Sequence, residues 1–255
     1  MVELKTSGEI AAMREAGRAV AAVLAAVQED AAAGVTLRSL DALARSVLAE
    51  HGATSTFLGY QPGFAPTAFP AVICSSVNDA ALHGIPDDYR LRDGDLLSID
   101  CGAEIGGWAG DAAVTFIVGT PRRADARLAE TTRRALQAGI GAAAPGARLG
   151  DISHAIGRVG RAAGYGINTD FGGHGIGRHM HEDPSVPNEG RPSRGMTLRP
   201  GLALAIEPWF MAGGRDGYHI DDDGWTLRTA DGSRAAHFEH TVAITDDGPL
   251  VMTLP

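Results

Sequence analysis

Leu91-Arg92-Asp93-Gly94-Asp95-Leu96-Leu97-Ser98-Ile99-Asp100 is echoed later in the chain by Leu198-Arg199-Pro200-Gly201-Leu202-Ala203-Leu204-Ala205-Ile206-Glu207. In each segment a glycine turn opens an apolar run that ends on a carboxylate. Short apolar runs bounded by turn residues read as buried strands. Gly106-Gly107 and then Asp111-Ala112-Ala113-Val114-Thr115-Phe116-Ile117-Val118 follow the first run. Residues 95–101 and 111–118 therefore read as an antiparallel hairpin, with Asp100 and Asp111 facing each other near one end. Glu239-His240-Thr241-Val242-Ala243-Ile244 lies over Asp111–Phe116, so Glu239 takes the place of Asp111 and Glu207 that of Asp100. The duplication predicts two hairpins related by a pseudo-two-fold axis, each offering two carboxylates to the centre.

The flanking segments are helical and repeat in the same way. Thr6 and Glu9 form a capping-box pattern ahead of Ile10, Met13, Ala16, Val20, Val23 and Val27, and Gly34 breaks the periodicity. Thr36 opens a second helix that turns Leu37, Leu40, Leu43, Val47 and Leu48 inward and stops at Gly52. The segment from Gly146 to Gly164 copies this helix. Between the helices and the hairpin lie a Gly/Pro/aromatic loop from Gly59 to Pro70 and a strand at residues 71–75. A chain of 255 residues is near the upper limit for one core, so one unit spanning 1–255 is expected, with pseudo-repeat halves at about 6–121 and 122–255. A net charge of −9 argues against a nucleic-acid surface. No signal-peptide core and no membrane-length apolar run is present. Two cysteines, both in apolar runs, point to buried thiols in a reducing, cytoplasmic setting.

Paired carboxylates inside a sheet repel each other and are costly to bury. A divalent cation neutralises them best. Four carboxylates and a histidine make the ligand set of a two-metal site, because each carboxylate can hold one ion per oxygen. The histidine comes from Gly172-Gly173-His174-Gly175-Ile176-Gly177-Arg178-His179-Met180-His181-Glu182-Asp183-Pro184, where the glycines exclude a helix. In an extended chain His174 and His181, seven apart, point to opposite faces, so one is a ligand and the other a substrate contact. His83 and His181 are left for hydrogen bonding or proton transfer. His179 reads as a surface residue, His240 as structural, and Asp221-Asp222-Asp223 as a solvated turn.

The motifs Ser76-Val77-Asn78-Asp79, His83-Gly84-Ile85-Pro86, Ile99-Asp100, Gly110-Asp111, Gly173–Arg178, His181–Pro184, Ala205–Pro208, Asp223-Gly224-Trp225 and Phe238–Thr241 occur in one order over nearly the whole chain. In these the chain resembles the methionine aminopeptidases, specifically the short type I enzymes. The resemblance implies an α+β pita-bread fold, two pseudo-symmetric halves around a dinuclear metal site. It also implies that Asp100, Asp111, His174, Glu207 and Glu239 hold two divalent ions (Co, Mn, Fe or Zn), with Asp111 and Glu239 bridging. The implied reaction is metal-activated attack of water on the first peptide bond of nascent polypeptides whose second residue is small. Glu207 would accept the proton, His181 would hydrogen-bond the scissile peptide, and His83 would steady the leaving group. Tyr60, Phe69, Cys74, Met180 and Trp225 would form the methionine pocket.

Departures from the pattern are Cys101-Gly102 after Asp100, Met180 in place of an aromatic, and a longer loop from Tyr60 to Phe69. None touches an implied ligand. An Xaa-Pro aminopeptidase or dipeptidase of the same fold is the second reading, although only 94 residues precede the hairpin, too few for the large extra N-terminal domain usual in such enzymes. A metal-free binding relative is the third, opposed by the filled ligand positions. The gap from His181 to Glu207 is too short for the type II insertion. With no zinc-ribbon or proline-rich extension, any ribosome contact falls to the catalytic fold, and a monomer is expected.

Overall fold

The computed structural model describes residues 2–255. Helix α1, Ser7–Asp30, starts at Thr6, whose hydroxyl accepts from the Glu9 amide while the Glu9 carboxylate accepts from the Thr6 amide. It ends at Ala31, before Gly34. Helix α2, Leu37–Glu50, begins at Thr36 and buries Leu37, Leu40, Ala44 and Leu48. Leu43 and Val47 sit half-buried at its edge. Helix α4, Leu149–Ala162, is the copy of α2. Helix α3, Arg123–Ala142, turns Leu128, Thr132, Ala135, Leu136 and Gly139 inward at helical spacing and was not among the expected elements.

Leu96–Ile105 and Trp108–Ile117 form the first hairpin, closed by Gly106-Gly107, both with positive φ. This two-residue turn matches the strand twist and needs glycine at both places. The strands reach further than residues 95–101 and 111–118. Gly102, Ala103, Ala109 and Gly110 belong to them because small residues are what lets α1 and the segment around Thr56 lie close. A Cβ on Gly110 would stand 2.9 Å from the Gly17 nitrogen, and one on Gly102 would overlap Thr56. Asp100 pairs with Ala113 and Gly102 with Asp111. The two aspartates are therefore diagonal neighbours on one face in mid-hairpin, rather than opposed at its end.

Thr54–Ser55 and Cys74–Val77 share the other edge of Leu96–Ile105, with Cys74 opposite Asp100. The strand expected at 71–75 is thus shifted to 74–77, where the ladder with residues 97–100 fixes it. A five-stranded antiparallel sheet runs Gly248–Val251, His240–Thr245, Ala203–Ile206, Gly173–Gly175, Glu182–Val186. Helices α1 and α2 cover the first sheet around Val20, Val23, Leu40, Leu97 and Ile99. Helices α3 and α4 cover the second around Leu136, Ile152, Ile156, Leu204 and Ile206.

The sheets meet where the Glu239 amide donates to the Ala113 carbonyl at 2.9 Å and the Ala113 amide to the Glu239 carbonyl. Next to this seam the Asp111 amide donates to Thr241 Oγ1 (2.8 Å), and that hydroxyl donates to the Asp111 carbonyl (2.7 Å). Four hydrogen bonds thus set the backbones of Asp111 and Glu239 side by side. Both cysteines are free and buried. Among the described residues, no helix is long and apolar enough to cross a membrane.

Candidate metal centre

The stretch Gly172–Pro184 is not one extended segment. Gly173–Gly175 pairs with Glu182–Val186 and, on its other side, with Ala203–Ile206, so the chain turns back between them. Glu182 holds this turn, accepting from the His179 amide and pairing with Lys5 Nζ at 2.7 Å. The reversal brings His174 and His181 together, ring centroids 4.2 Å apart, instead of sending them to opposite faces. The glycines serve close approach. A Cβ on Gly173 would lie 2.3 Å from the Ala205 carbonyl oxygen, and one on Gly175 2.1 Å from that of Asp183. His174 Nδ1 is 2.9 Å from the Gly175 carbonyl. A carbonyl only accepts, so the proton sits on Nδ1 and the Nε2 lone pair faces the centre.

One cavity of about 260 Å³ is lined by Asp100, Asp111, His174, Glu207 and Glu239, by His83 and His181, and by Tyr60, Phe69, Cys74, Met180 and Trp225. Every residue expected at the site stands on it. His174 Nε2 is 3.6 Å from Glu207 Oε1, and the ligand atoms of Asp111, His174 and Glu239 all lie within 4.8 Å of one another. Asp100 Oδ1, Asp111 Oδ1 and Glu239 Oε1 are buried without a hydrogen-bond partner. Burial, then Glu207, pushes Asp111 up to about 8. Burial and neighbouring carboxylates likewise hold Asp100 and Glu239 well above the ordinary range. Burial would raise Glu207 too, but the imidazoles of His237, His174 and His181 outweigh it and keep this carboxyl low.

Unpartnered oxygens crowded among like charges fit a positively charged group, and the His/carboxylate donors suit a borderline divalent ion. Burial holds His83 down to about 4 and His181 to about 3, so both imidazoles are neutral. His181 stacks on Tyr60, centroids 5.3 Å apart.

The apolar end of the cavity is a cluster of Phe57, Phe69, Cys74, Met180 and Trp225, with Tyr60 half-buried against it. Trp225 donates from Nε1 to the Thr67 carbonyl at 3.0 Å, so it ties down the long loop as well as forming the wall. Met180 Sδ accepts from Thr56 Oγ1. Asp221 and Asp223 are not merely solvated: Asp221 pairs with Arg228, and Asp223 caps the turn by accepting from the Trp225 and Thr226 amides. His179 is exposed, and His240 bonds Thr253.

Three contributors were not anticipated. Phe64 and Phe171 pack around His83, at 6.2 and 5.5 Å between centroids. His237 is buried, with Nε2 3.6 Å from Glu207 and 3.9 Å from Glu239. Spacing could have revealed it, since His237 and Glu239 stand two apart in a strand-like context and such residues share a face.

The profile of metallopeptidase family M24 matches residues 11–246. Methionine aminopeptidase 1 of Mycobacterium tuberculosis is 52% identical over 261 residues, covering 100% of this chain and 96% of that protein. Methionine aminopeptidase 1 of Bacillus subtilis is 41% identical, with 99% of each chain covered. The crystal structure of methionine aminopeptidase from Thermotoga maritima superposes with a TM-score of 0.95 at 39% identity, over 100% of both chains. A prolidase from Pyrococcus horikoshii shares the pita-bread fold at a TM-score of 0.76 and 22% identity, with 98% of this chain and 63% of that one covered. With the carboxylates and His174 drawn to one buried centre and this likeness running the length of the chain, the protein belongs to metallopeptidase family M24.

Proposed function

We propose that this chain is a metal-dependent aminopeptidase that removes the N-terminal methionine of newly made polypeptides whose second residue is small. One observation supports this above all: the carboxylate/histidine floor and an apolar cluster of Phe57, Phe69, Cys74, Met180 and Trp225 share one cavity of about 260 Å³. Asp100, Asp111, His174, Glu207 and Glu239 would hold two divalent ions, with Asp111 and Glu239 shared between them; Co, Mn, Fe and Zn all suit this donor set. Bound ions would supply Lewis acidity, acidifying water and offsetting negative charge on the scissile carbonyl.

The chain's own groups do the rest. Tyr60, Phe69, Cys74, Met180 and Trp225 enclose the unbranched methionine side chain and exclude water from it. Glu207, held ionised beside His237 and His174, is the carboxylate able to accept a proton. His181 is fixed between Tyr60 and His174 and faces the peptide bond. His83, framed by Phe64 and Phe171, steadies the leaving amine. The whole chain would act as one catalytic unit, and any ribosome contact would use this same fold.

A Met-Ala-Ser peptide offered to chelated protein should remain intact, and cleavage should return on stepwise addition of Mn, Fe, Co or Zn. Cleavage without metal sinks the mechanism. Preferential cleavage of X-Pro peptides would favour the prolidase-like alternative, which so far rests on a shared fold alone. His181→Ala should keep its full metal content, measured by atomic emission, while turnover falls about 100-fold or more. Loss of metal would contradict the role given to His181.

A further inference from the structure

The cavity carries one carboxylate more than its floor needs. Two divalent ions held as proposed would offset Asp100, Asp111, Glu207 and Glu239 charge for charge. Asp170 lines the same cavity, and no lysine or arginine does. Among the described residues no basic side chain pairs with Asp170 from elsewhere.

Asp170 stands at the mouth. The lining residues most open to solvent are Phe64, Asp170, His181 and Ser185. With a methionine side chain in the apolar cluster and the first peptide bond at the floor, the rest of a peptide leaves past these residues. The wall beside Asp170 is aromatic. Phe64 is 43% exposed and stands edge-on to Phe171, centroids 5.5 Å apart. Phe171 in turn meets Tyr218 edge-on at 5.6 Å. Burial, then the neighbouring Asp170, raises the Tyr218 hydroxyl, so the carboxylate lies at the outer end of this row of rings. The turn that presents it is held from below. The Asp170 amide donates to Oδ1 of the buried Asn168 at 2.8 Å, and Asn168 Nδ2 donates to the Asp216 carbonyl at 3.2 Å. The Phe171 carbonyl accepts from Trp209 Nε1 at 3.3 Å.

An exposed ring next to an unpaired carboxylate suits an ammonium or guanidinium group on an apolar stem. The stem lies along the rings, the ring faces attract the cation, and the carboxylate pairs with it. We propose that Phe64, Phe171 and Asp170 form a subsite for a basic side chain just beyond the small second residue of the substrate. The inference rests on the aminopeptidase reading above and deepens it. Among chains that begin alike, those with lysine or arginine at the third or fourth position are processed fastest, and those with acidic residues there slowest.

The test compares three C-terminally amidated peptides on the metal-loaded protein: Met-Ala-Lys-Lys, Met-Ala-Ser-Ser and Met-Ala-Glu-Glu. kcat/KM should fall in that order by about fivefold per step, the scale of a well-placed exposed ion pair. The spread should narrow in roughly 0.5 M salt. Asp170→Asn should remove most of it. Each ratio is taken within one variant, so a general loss of turnover cancels. Asp247→Asn changes the net charge equally but lies in the exposed turn between His240–Thr245 and Gly248–Val251, and it should keep the spread. Equal rates in the wild type overturn the proposal, as does a spread that survives Asp170→Asn. A spread lost equally in Asp247→Asn overturns it too, because overall charge would then be the cause. Failure to cleave any of the three peptides would instead sink the aminopeptidase reading, so the two failures are separable.

Discussion

Asp111→Asn is expected to abolish nearly all peptide cleavage, by on the order of 100-fold or more at saturating metal, while the metal-free protein becomes no less stable. The two effects have opposite causes. Asp111 is 4% exposed, and its Oδ1 has no hydrogen-bond partner. Among Asp100, Glu207 and Glu239 its charge is unfavourable until a cation arrives, so an isosteric amide relieves repulsion in the empty fold. The hairpin should be undisturbed, because Asp111 is positioned by main-chain bonds to Thr241 rather than by its side chain. An amide cannot bridge as an anion, so two ions held as proposed would lose their shared ligand. Turnover with Met-Ala-Ser and thermal melting in chelator test both halves. Retained turnover would exclude Asp111 as a bridging ligand, and a sharply lowered melting temperature would show that its side chain holds the fold.

Gly175→Ala is expected to cost about 2–3 kcal/mol of stability and most of the activity. The added methyl would sit 2.1 Å from the Asp183 carbonyl oxygen, and backbone cannot give way as a side-chain tip can. The strands Gly173–Gly175 and Glu182–Val186 would have to part. The Gly175 carbonyl, which sets the His174 tautomer, would move with them. Gly141→Ala is the matched control. It lies exposed near the end of α3 with nothing within 4 Å of an added Cβ, so it should stabilise by about 0.5 kcal/mol. Denaturant unfolding of the two variants checks both signs. Equal effects would show that the close approach at Gly175 carries no cost.

Much of the candidate centre was readable because its carboxylates come from segments whose neighbours announce their backbone. Asp100 and Asp111 sit in long apolar strands flanking a Gly-Gly turn, and the repeat carried that reading across to Glu207 and Glu239. Thr6 and Thr36 were legible as caps because capping is local chemistry. Position along the hairpin was not. Gly102, Ala103, Ala109 and Gly110 look like loop residues until α1 is placed against them, so the aspartates seemed to lie at a strand end. The relation of His174 to His181 was lost for a similar reason, since a chain reversal held by Lys5 and Glu182 depends on a partner far away in sequence. His237 was legible in principle from its two-residue spacing to Glu239. Phe64 and Phe171 were not, because what makes them part of the wall is the ring of His83 between them.

The seam between Ala113 and Glu239 also fixes when the centre can exist. Asp111 and Glu239 stand half a chain length apart, so their meeting is among the most non-local events in folding. A growing chain that has released the first hairpin, helices α1 to α4 and His174 still has an open ring of carboxylates, because the segment bearing His237 and Glu239 follows all of these in the chain. Divalent ions that bind the assembled centre and not its fragments stabilise only the finished molecule. On the proposed ligand set, metal supply would therefore act as a selection on completed chains, and a copy truncated before Glu239 would have no route to a metal-stabilised state.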